Sequence, residues 1–448
     1  MKKPLLYPLA LLFFFATFMV APLWHVLSQA FLYNGALSTH FFAVMFQTQH
    51  YRDVLCNSLN LAITVTVITS LIAYPLALTL SRFRLPAHNF IHALILIPLI
   101  VPPFVGVLGV RQLFSRFGSV NLLLLHLGVI EAPINWLGGG GIFGIIALQV
   151  VHLVPLLYLS LSASLTNAHI SLEEAATMVG ASKWRILRRI IIPLSLPGWF
   201  AGATIVFIAS FTDLGTPLVF DYRNLISVQI YNMLSDLHEN PVGYSFVVFT
   251  CILSVSLFTL SKISLVGGQF SGSVRSNAGL LLRPPQGKRG LVLLSAVVAY
   301  ATLACVPQLA VLVLSLSERW FMSIVPEKWT LQHFLEVIYH PLTARSLLIS
   351  VVLSALASIL TIIVGLLTAC RIHRGGKLSK GIFETLSIIP LAVPGIVFAF
   401  GFIGAFTGTI LDNRINPFPL LIAAYTVRRL PAMVRSAERT IAGKRRTV

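Results

Sequence analysis

The chain has 448 residues, 56% of them hydrophobic and 10% charged, with a mean hydropathy of +0.87. A soluble globular domain carries about 25% charged residues, so this composition excludes one. The excess of 32 Lys+Arg over 14 Asp+Glu, a net +18, would suggest nucleic acid in a soluble protein. In a polytopic membrane protein it reflects cytoplasmic loops that collect Lys and Arg, so no nucleic-acid partner is expected and the main surroundings are the lipid bilayer.

A helix needs about 20 apolar residues to cross the hydrocarbon layer. Hydropathy predicts spans near 5–27, 55–80, 90–113, 141–165, 190–212, 243–266, 291–317, 346–370, 382–407 and 419–437. The first follows Lys2 and Lys3 and is longer than a signal-peptide core, with no small-residue cleavage site after it, so it reads as an uncleaved span. With the N-terminus placed in the cytoplasm, only Arg52, Arg111, Arg116, Arg223, Arg319, Lys328, Arg345 and Arg414 of the basic residues fall outside. That asymmetry supports the orientation. Cys56, Cys251, Cys305 and Cys370 sit in or beside apolar runs, with no CxxC and no metal or disulfide spacing, and read as packing residues.

Residues 267–290 are rich in Gly, Ser, Pro and base, which predicts a cytoplasmic linker. The segments on either side resemble each other. Ile97-Pro98-Leu99-Ile100-Val101-Pro102 recurs as Ile389-Pro390-Leu391-Ala392-Val393-Pro394, each after a span and a basic loop. Ile146-Ala147 and Leu153-Val154-Pro155 recur as Ile422-Ala423 and Arg429-Leu430-Pro431 at the same internal spacing. The expected architecture is an all-α, polytopic transmembrane helical bundle of two tandem repeats, 1–266 with six spans and 291–448 with four. An even number of spans in the first makes the repeats parallel, an arrangement found in transporters.

The longest cytoplasmic loop of the first repeat, 166–193, combines local signals of a helix, a turn and a second helix. Ser171 and Glu174 have capping-box spacing, and Glu173-Glu174-Ala175-Ala176 is strongly helix-forming, with acid at the positive end of the dipole. Gly180 permits a tight turn, and a basic second helix leads to Pro193. Such an element is either a solvated amphipathic loop or a docking lever for a cytoplasmic partner.

Glu174-Ala175-Ala176, three residues, Gly180, nine residues, Ile190, one residue, Ile192-Pro193 resembles the EAA loop of binding-protein-dependent ABC importer permeases, with Ile192 in place of the usual Leu. The likeness covers nearly the whole chain and extends to fused two-repeat permeases of the ferric-iron type. It implies a permease subunit in the bacterial inner membrane, working with two cytoplasmic ATPase subunits and a periplasmic solute-binding protein. Glu174, Ala175, Ala176, Gly180, Ile190 and Pro193 would then form the coupling loop. Ferric iron is the first expected cargo, with 2-aminoethylphosphonate, thiamine or a polyamine as alternatives. The register that carries Pro155 onto Pro431 puts the partner of Glu173 just past Val448. The second repeat is therefore expected to be incomplete, lacking its own EAA loop and last two spans, and an inactive remnant is one alternative.

Candidate path or gate residues are Asp213, Gln149, Pro98, Pro102, Pro390 and Pro394. Asp213 lies at the outer end of the fifth span and reads as a cap of the turn at Gly215-Thr216-Pro217 or as an ionisable path residue. Gln149 and His152 are polar on an apolar helix, which suits interhelical hydrogen bonds. The four prolines free backbone carbonyls that need partners inside protein or a water-filled path. Arg428 and Arg429 are expected to snorkel to the cytoplasmic interface. No P-loop, HExxH or GxSxG occurs, and Gly138 to Gly141 read as a flexible outer loop. No catalytic residue, metal site or cofactor is expected, and ATP hydrolysis would come from another chain. An ion-coupled secondary transporter, the alternative from another class, would place ionisable groups near the bilayer midplane.

Overall fold

The computed structural model describes residues 6–83, 87–167, 170–234, 241–266 and 287–444. Helix α1 (Leu6–Phe15) continues through a π turn (Ala16–Val20) into α2 (Ala21–Phe31). A two-residue hairpin follows, β1 (Leu32–Tyr33) and β2 (Ala36–Leu37), joined by Asn34 at φ 50° and Gly35 at φ 78°, the Asn-Gly pair that a type I′ turn favours. Then come α3 (His40–Gln47), α4 (Gln49–Arg82), α5 (His88–Ile100), α6 (Pro103–Phe114), α7 (Ser119–His126), α8 (Ile142–Asn167), α9 (Ile170–Met178) and α10 (Lys183–Ile186). A second π turn (Leu187–Ile191) leads to α11 (Ile192–Phe211), α12 (Gly215–Val219), α13 (Ile226–Asn232) and α14 (Val242–Val266). The chain ends with α15 (Gly287–Ser315), the hairpin of β3 (Ser317–Arg319) and β4 (Lys328–Trp329), α16 (Gln332–Tyr339), α17 (Pro341–Arg374), α18 (Lys377–Ala392), α19 (Gly395–Phe406) and α20 (Phe418–Lys444). The fold is all-α, and most of the expected linker lies outside the described residues.

Seven helical stretches among the described residues are long and apolar enough to span: Tyr7–Phe31, Gln49–Arg82, Gly139–Thr166, Lys183–Val219, Val242–Ile263, Gly290–Ser315 and Pro341–Arg374. The spans expected at 90–113 and 382–407 are each broken into two helices. His88–Ile100 and Pro103–His126 meet at 99°, and Lys377–Ala392 and Gly395–Phe406 meet at 107°. Pro98 and Pro390 sit inside α5 and α18, whereas Pro102 and Pro394 cap the helices beyond each break. Val101 and Val393 are extended, at ψ 126° and 124°. A proline has no N–H for the carbonyl four residues earlier, so the ladder stops there. The expected tenth span is helical as α20, but Arg428, Arg429, Arg435, Glu438 and Arg439 leave it too polar to join the seven.

Contacts divide the chain into two compact units. Unit 1 comprises Met1–Val54, Gln229–Ser256 and Glu336–Val448, and unit 2 comprises Leu55–Val228 and Leu257–Leu335. In unit 2 the core runs through α4, α5, α8 and α11, with Val65, Ile95, Leu157, Leu161 and Val206 fully buried. Side-chain hydrogen bonds stitch these helices: Tyr74 Oη lies 2.7 Å from Ser195 Oγ, and Trp199 Nε1 donates to Ser70 Oγ at 3.1 Å. Such bonds between helices hold where neither group has water to turn to.

Helix α6 approaches α15 through Gly109, where an added Cβ would stand 2.2 Å from the Pro307 carbonyl oxygen. That obstacle is backbone and cannot swing aside. Gly109→Leu is therefore expected to abolish monodisperse recovery in detergent, with a large loss in the folded peak on size exclusion. In unit 1, α17 packs along α20, with Gly365 under Met433, and α2 meets α19 where Gly401 faces the Pro22 carbonyl. Leu71, Leu348 and Val351 point outward at 65–70% exposure, as lipid-facing positions do in a chain whose backbone polar groups are satisfied within helices.

Gly138 to Gly141 depart from the flexible-loop reading. They form a 3-10 turn at Gly139–Gly141, with Gly138, Gly140 and Gly141 at positive φ. Added Cβ atoms at Gly138, Gly140 and Gly141 would strike the rings of Phe143, Tyr222 and Phe220 respectively. Gly138, Gly140 and Gly141 pack closely against aromatic rings, at backbone angles that glycine adopts without strain.

Candidate functional site

The EAA-like segment builds a helix, a turn and a second helix in unit 2. Helix α9 already includes Ile170, one residue before the Ser171 placed at the cap from the sequence, and the Ser171 side chain lies outside the described residues. Its C-terminus is a Schellman motif: Ala181 N–H bonds Ala176 O at 3.0 Å and Gly180 N–H bonds Thr177 O at 3.0 Å. Gly180 takes φ 80°, the left-handed conformation this motif demands and glycine adopts without strain. Ser182 then caps α10, its Oγ accepting from Arg185 N–H at 3.4 Å.

Ala176 and Ala181 pack against the core of unit 2, and Ile190 lies beside them in the π turn, next to buried Ile186 and Ile191. Pro193 follows in the first turn of α11. Having no N–H for the Arg189 carbonyl, it suits a point where the ladder lengthens, and Ile192 N–H reaches back to Leu187 O. The tip itself is open. Met178, Val179 and Trp184 are 89%, 85% and 67% exposed, while Glu174 and Ala175 lie on the exposed side of α9. Three large apolar side chains on one polar loop form an unusual surface for a solvated segment.

One anchor of this loop was missed from the sequence. Arg82, the last residue of α4, forms an ion pair with Glu173 in the first turn of α9 and donates through Nη1 to Leu165 O of α8 at 3.4 Å. Their side chains are 13% and 20% exposed. The guanidinium thus joins the carbonyl end of α8 to an acid at the N-terminus of α9, both favourable in the dipole field. A basic residue at a helix end is sufficiently explained by topology, and nothing in the spacing of residues 82 and 173 signals the pair. Arg82→Gln is expected to speed hydrogen exchange of the α9 amides about tenfold. The exchanged pair Arg82→Glu with Glu173→Arg restores protection if the ion pair is the anchor, and unaltered exchange in Arg82→Gln refutes it.

Gln149 and Asp213 do meet. Asp213 Oδ2 accepts from Gln149 Nε2 at 2.9 Å, and Gln149 Oε1 accepts from Ser210 Oγ at 2.6 Å. Asp213 Oδ1 accepts from Gly215 N–H at 3.1 Å and Thr216 N–H at 3.4 Å, and its carbonyl accepts from Ser227 Oγ at 2.7 Å. The carboxylate caps the turn into α12 and also ties α11 to α8. Pro98, Pro102, Pro390 and Pro394 stand at the two helix breaks, away from this network in the chain.

Arg428 departs from the snorkelling expectation. Its Nη1 donates to Val393 O at the second break, 3.3 Å away, and Gly395 lies alongside the guanidinium. The sequence also missed a cavity of about 670 Å³ in unit 1, lined by His25, Gln29, Tyr33, Asn34, Tyr244 and Thr407 among others. His25 Nε2 and Tyr244 Oη are 3.3 Å apart on its wall. The Asn34-Gly35 turn was the available signal for the hairpin at its rim. Past α19, Asp412 is held far below the usual carboxylate range by Arg414 and by the Gly408 and Arg414 amides. These bonds tie the connection from α19 to α20.

The family described as binding-protein-dependent transport system inner membrane component matches residues 67–266. The ferric transport system permease protein FbpB of Actinobacillus pleuropneumoniae is 26% identical over 407 residues, 86% of this chain and 56% of that one. The spermidine/putrescine transport system permease protein PotB of Escherichia coli (strain K12) is 32% identical over 160 residues, 35% of this chain and 57% of that one. The chain thus spans little more than half the length of either relative. The crystal structure of a bacterial ABC transporter involved in the import of the acidic polysaccharide alginate aligns at 18% identity and a TM-score of 0.46, covering 59% of this chain and 96% of that one. Residues 67–266 of this multi-pass membrane chain, which hold α9, Gly180 and the helices around them, thus resemble the binding-protein-dependent transport system inner membrane component family.

Proposed function

We propose that the chain is the membrane-spanning permease subunit of an ATP-driven importer in the bacterial inner membrane, passing a solute delivered by a periplasmic binding protein. The observation that carries this reading is the Glu174 to Gly180 turn. It pairs a motif suited to ATPase docking with an exposed apolar tip at Met178, Val179 and Trp184, on a base anchored through Glu173 and Arg82. Two cytoplasmic ATPase subunits supply hydrolysis, and the permease itself performs no chemistry. Glu174, Ala175, Ala176 and Gly180 make the contact, with Ile190 and Pro193 holding the following helix. The N-terminus is cytoplasmic, as the basic residues are distributed. Asp213, Gln149 and the four prolines at the breaks line or shape the path.

Ferric iron is the proposed cargo, supported by a ferric-type relative whose match extends over 86% of this chain. A polyamine is the second reading, favoured by the higher identity of the spermidine/putrescine relative over its shorter match. The test is recovery of an ABC ATPase with the tagged full chain from detergent-solubilised membranes, followed by uptake of labelled ferric iron or spermidine into vesicles supplied with binding protein. An ATPase on the chain and ATP-dependent uptake of iron alone support the importer and ferric iron as its cargo. Uptake of spermidine alone transfers the cargo to the second reading, and absence of any ATPase overturns the importer.

A further inference from the structure

The two helix breaks repeat one backbone geometry. At the first, Val101 is extended, Pro102 caps α6 at φ −54° and ψ 135°, and Val105 N–H turns back to Pro102 O at 3.0 Å. At the second, Val393 is extended, Pro394 caps α19 at φ −60° and ψ 150°, and Val397 N–H turns back to Pro394 O at 3.1 Å. Each break leaves carbonyls without their usual N–H. Pro98 O has lost its partner because residue 102 is proline, and Val393 O has lost its own because Val397 N–H bonds elsewhere. In a membrane-embedded helix such a carbonyl needs a donor from a neighbour.

A neighbour supplies one in both cases. His152 of α8 donates through Nδ1–H to Pro98 O at 2.7 Å. Arg428 of α20 donates through Nη1 to Val393 O at 3.3 Å. These two residues occupy the same place in the repeat, since each stands three before the proline of the Pro155 and Pro431 pair. The side chains differ and the role is the same. His152 is short and reaches the carbonyl one turn ahead of the break, whereas Arg428 is long and reaches the carbonyl at the break itself.

We propose that His152 and Arg428 are the two copies of one positioning residue, each donating to a backbone carbonyl left without its helical partner at a proline-marked break and thereby holding the bend between its two segments. Without the donor, the freed carbonyl gains by turning towards any other polar group, and the bend becomes a distribution of angles. The arrangement explains why a cationic side chain sits in the middle of α20 and turns to the break instead of the nearest interface.

The test is electron–electron distance measurement across each break in the full chain, reconstituted in bilayers with Cys56, Cys251, Cys305 and Cys370 replaced. Spin labels at the exposed positions Phe90 and Leu108 report the first break, and labels at the exposed positions Leu378 and Ala399 report the second. His152→Leu is expected to broaden the first distribution about twofold and Arg428→Leu the second. His152→Asn and Arg428→Lys, which keep an N–H donor, restore the native width. Met, apolar and flexible, replaces Leu where the Leu variant does not reach the membrane, and it must broaden the distribution equally. Unchanged widths in the donor-free variants, equal broadening in Asn or Lys, or a response at only one break overturns the proposal. The distances need no ATPase or solute, so their outcome is separate from that of the importer reading.

Discussion

Gly180→Asp is expected to abolish recovery of an ATPase with this chain while leaving membrane insertion intact. Gly180 stands at φ 80° with nothing within 4 Å of an added Cβ, so the damage comes from backbone and charge, with no clash. A left-handed residue other than glycine costs about 1–2 kcal/mol, and Asp tolerates that region better than most. Its carboxylate, however, sits at the negative end of the α9 dipole, beside the exposed apolar surface of Met178 and Val179. Gly180→Asn, equally tolerant of the left-handed region but uncharged, is expected to retain most of the ATPase, and Gly180→Val to lose it through the turn. Glu174→Lys, which reverses charge on the exposed side of α9, is expected to reduce the same recovery. Quantifying ATPase in pull-downs from membranes with equal amounts of each variant decides the matter, because full recovery with Gly180→Asp removes the coupling role.

Asp213→Ala has the second largest expected effect, on stability. The change strands Gln149 Nε2 and the N–H groups of Gly215 and Thr216. Each buried donor left without a partner costs about 1–3 kcal/mol. Gln149 is 2% exposed and Thr216 is fully buried, so water offers little relief, and a marked drop in the thermal midpoint in detergent is expected. Asp213→Asn separates cap from tie: its oxygen still serves Gly215 and Thr216, while its amide faces the amide of Gln149. Adding Gln149→Glu restores a donor and acceptor pair and should recover much of the loss, since Ser210 Oγ can donate to the new carboxylate as it did to the amide oxygen. A midpoint for Asp213→Ala equal to that of the parent chain contradicts this account.

The helix, turn and second helix around Gly180 were legible because every signal in them is local. Helix propensity from Glu173 to Ala176, a glycine at Gly180 and a proline at Pro193 lie within one stretch, and a Schellman turn needs only consecutive residues. The Asp213 cap was legible for the same reason, being a carboxylate two residues from the amide it receives. Its second partner, Gln149, was suspected only as a polar residue on an apolar helix. Arg82 escaped notice because its partner Glu173 lies 91 residues away, and a basic residue at a helix end has a sufficient explanation in topology alone.

Composition and periodicity determined that this is an all-α chain embedded in lipid. The free energy of moving side chains into hydrocarbon is nearly a sum over residues and hardly depends on their arrangement. The repeated IPLxVP segments likewise showed where helices would lose a hydrogen bond, since the missing proline N–H is covalent fact. Only the tertiary structure decided that the prolines at 98 and 390 stay within helices while the chain turns at Val101 and Val393. It alone turned Arg428 to a broken helix in place of the interface, and it alone joined Arg82 to α8 and α9. Those outcomes depend on which donor from a distant segment reaches a freed carbonyl or carboxylate, and hydropathy averaged along the chain carries no information about that meeting.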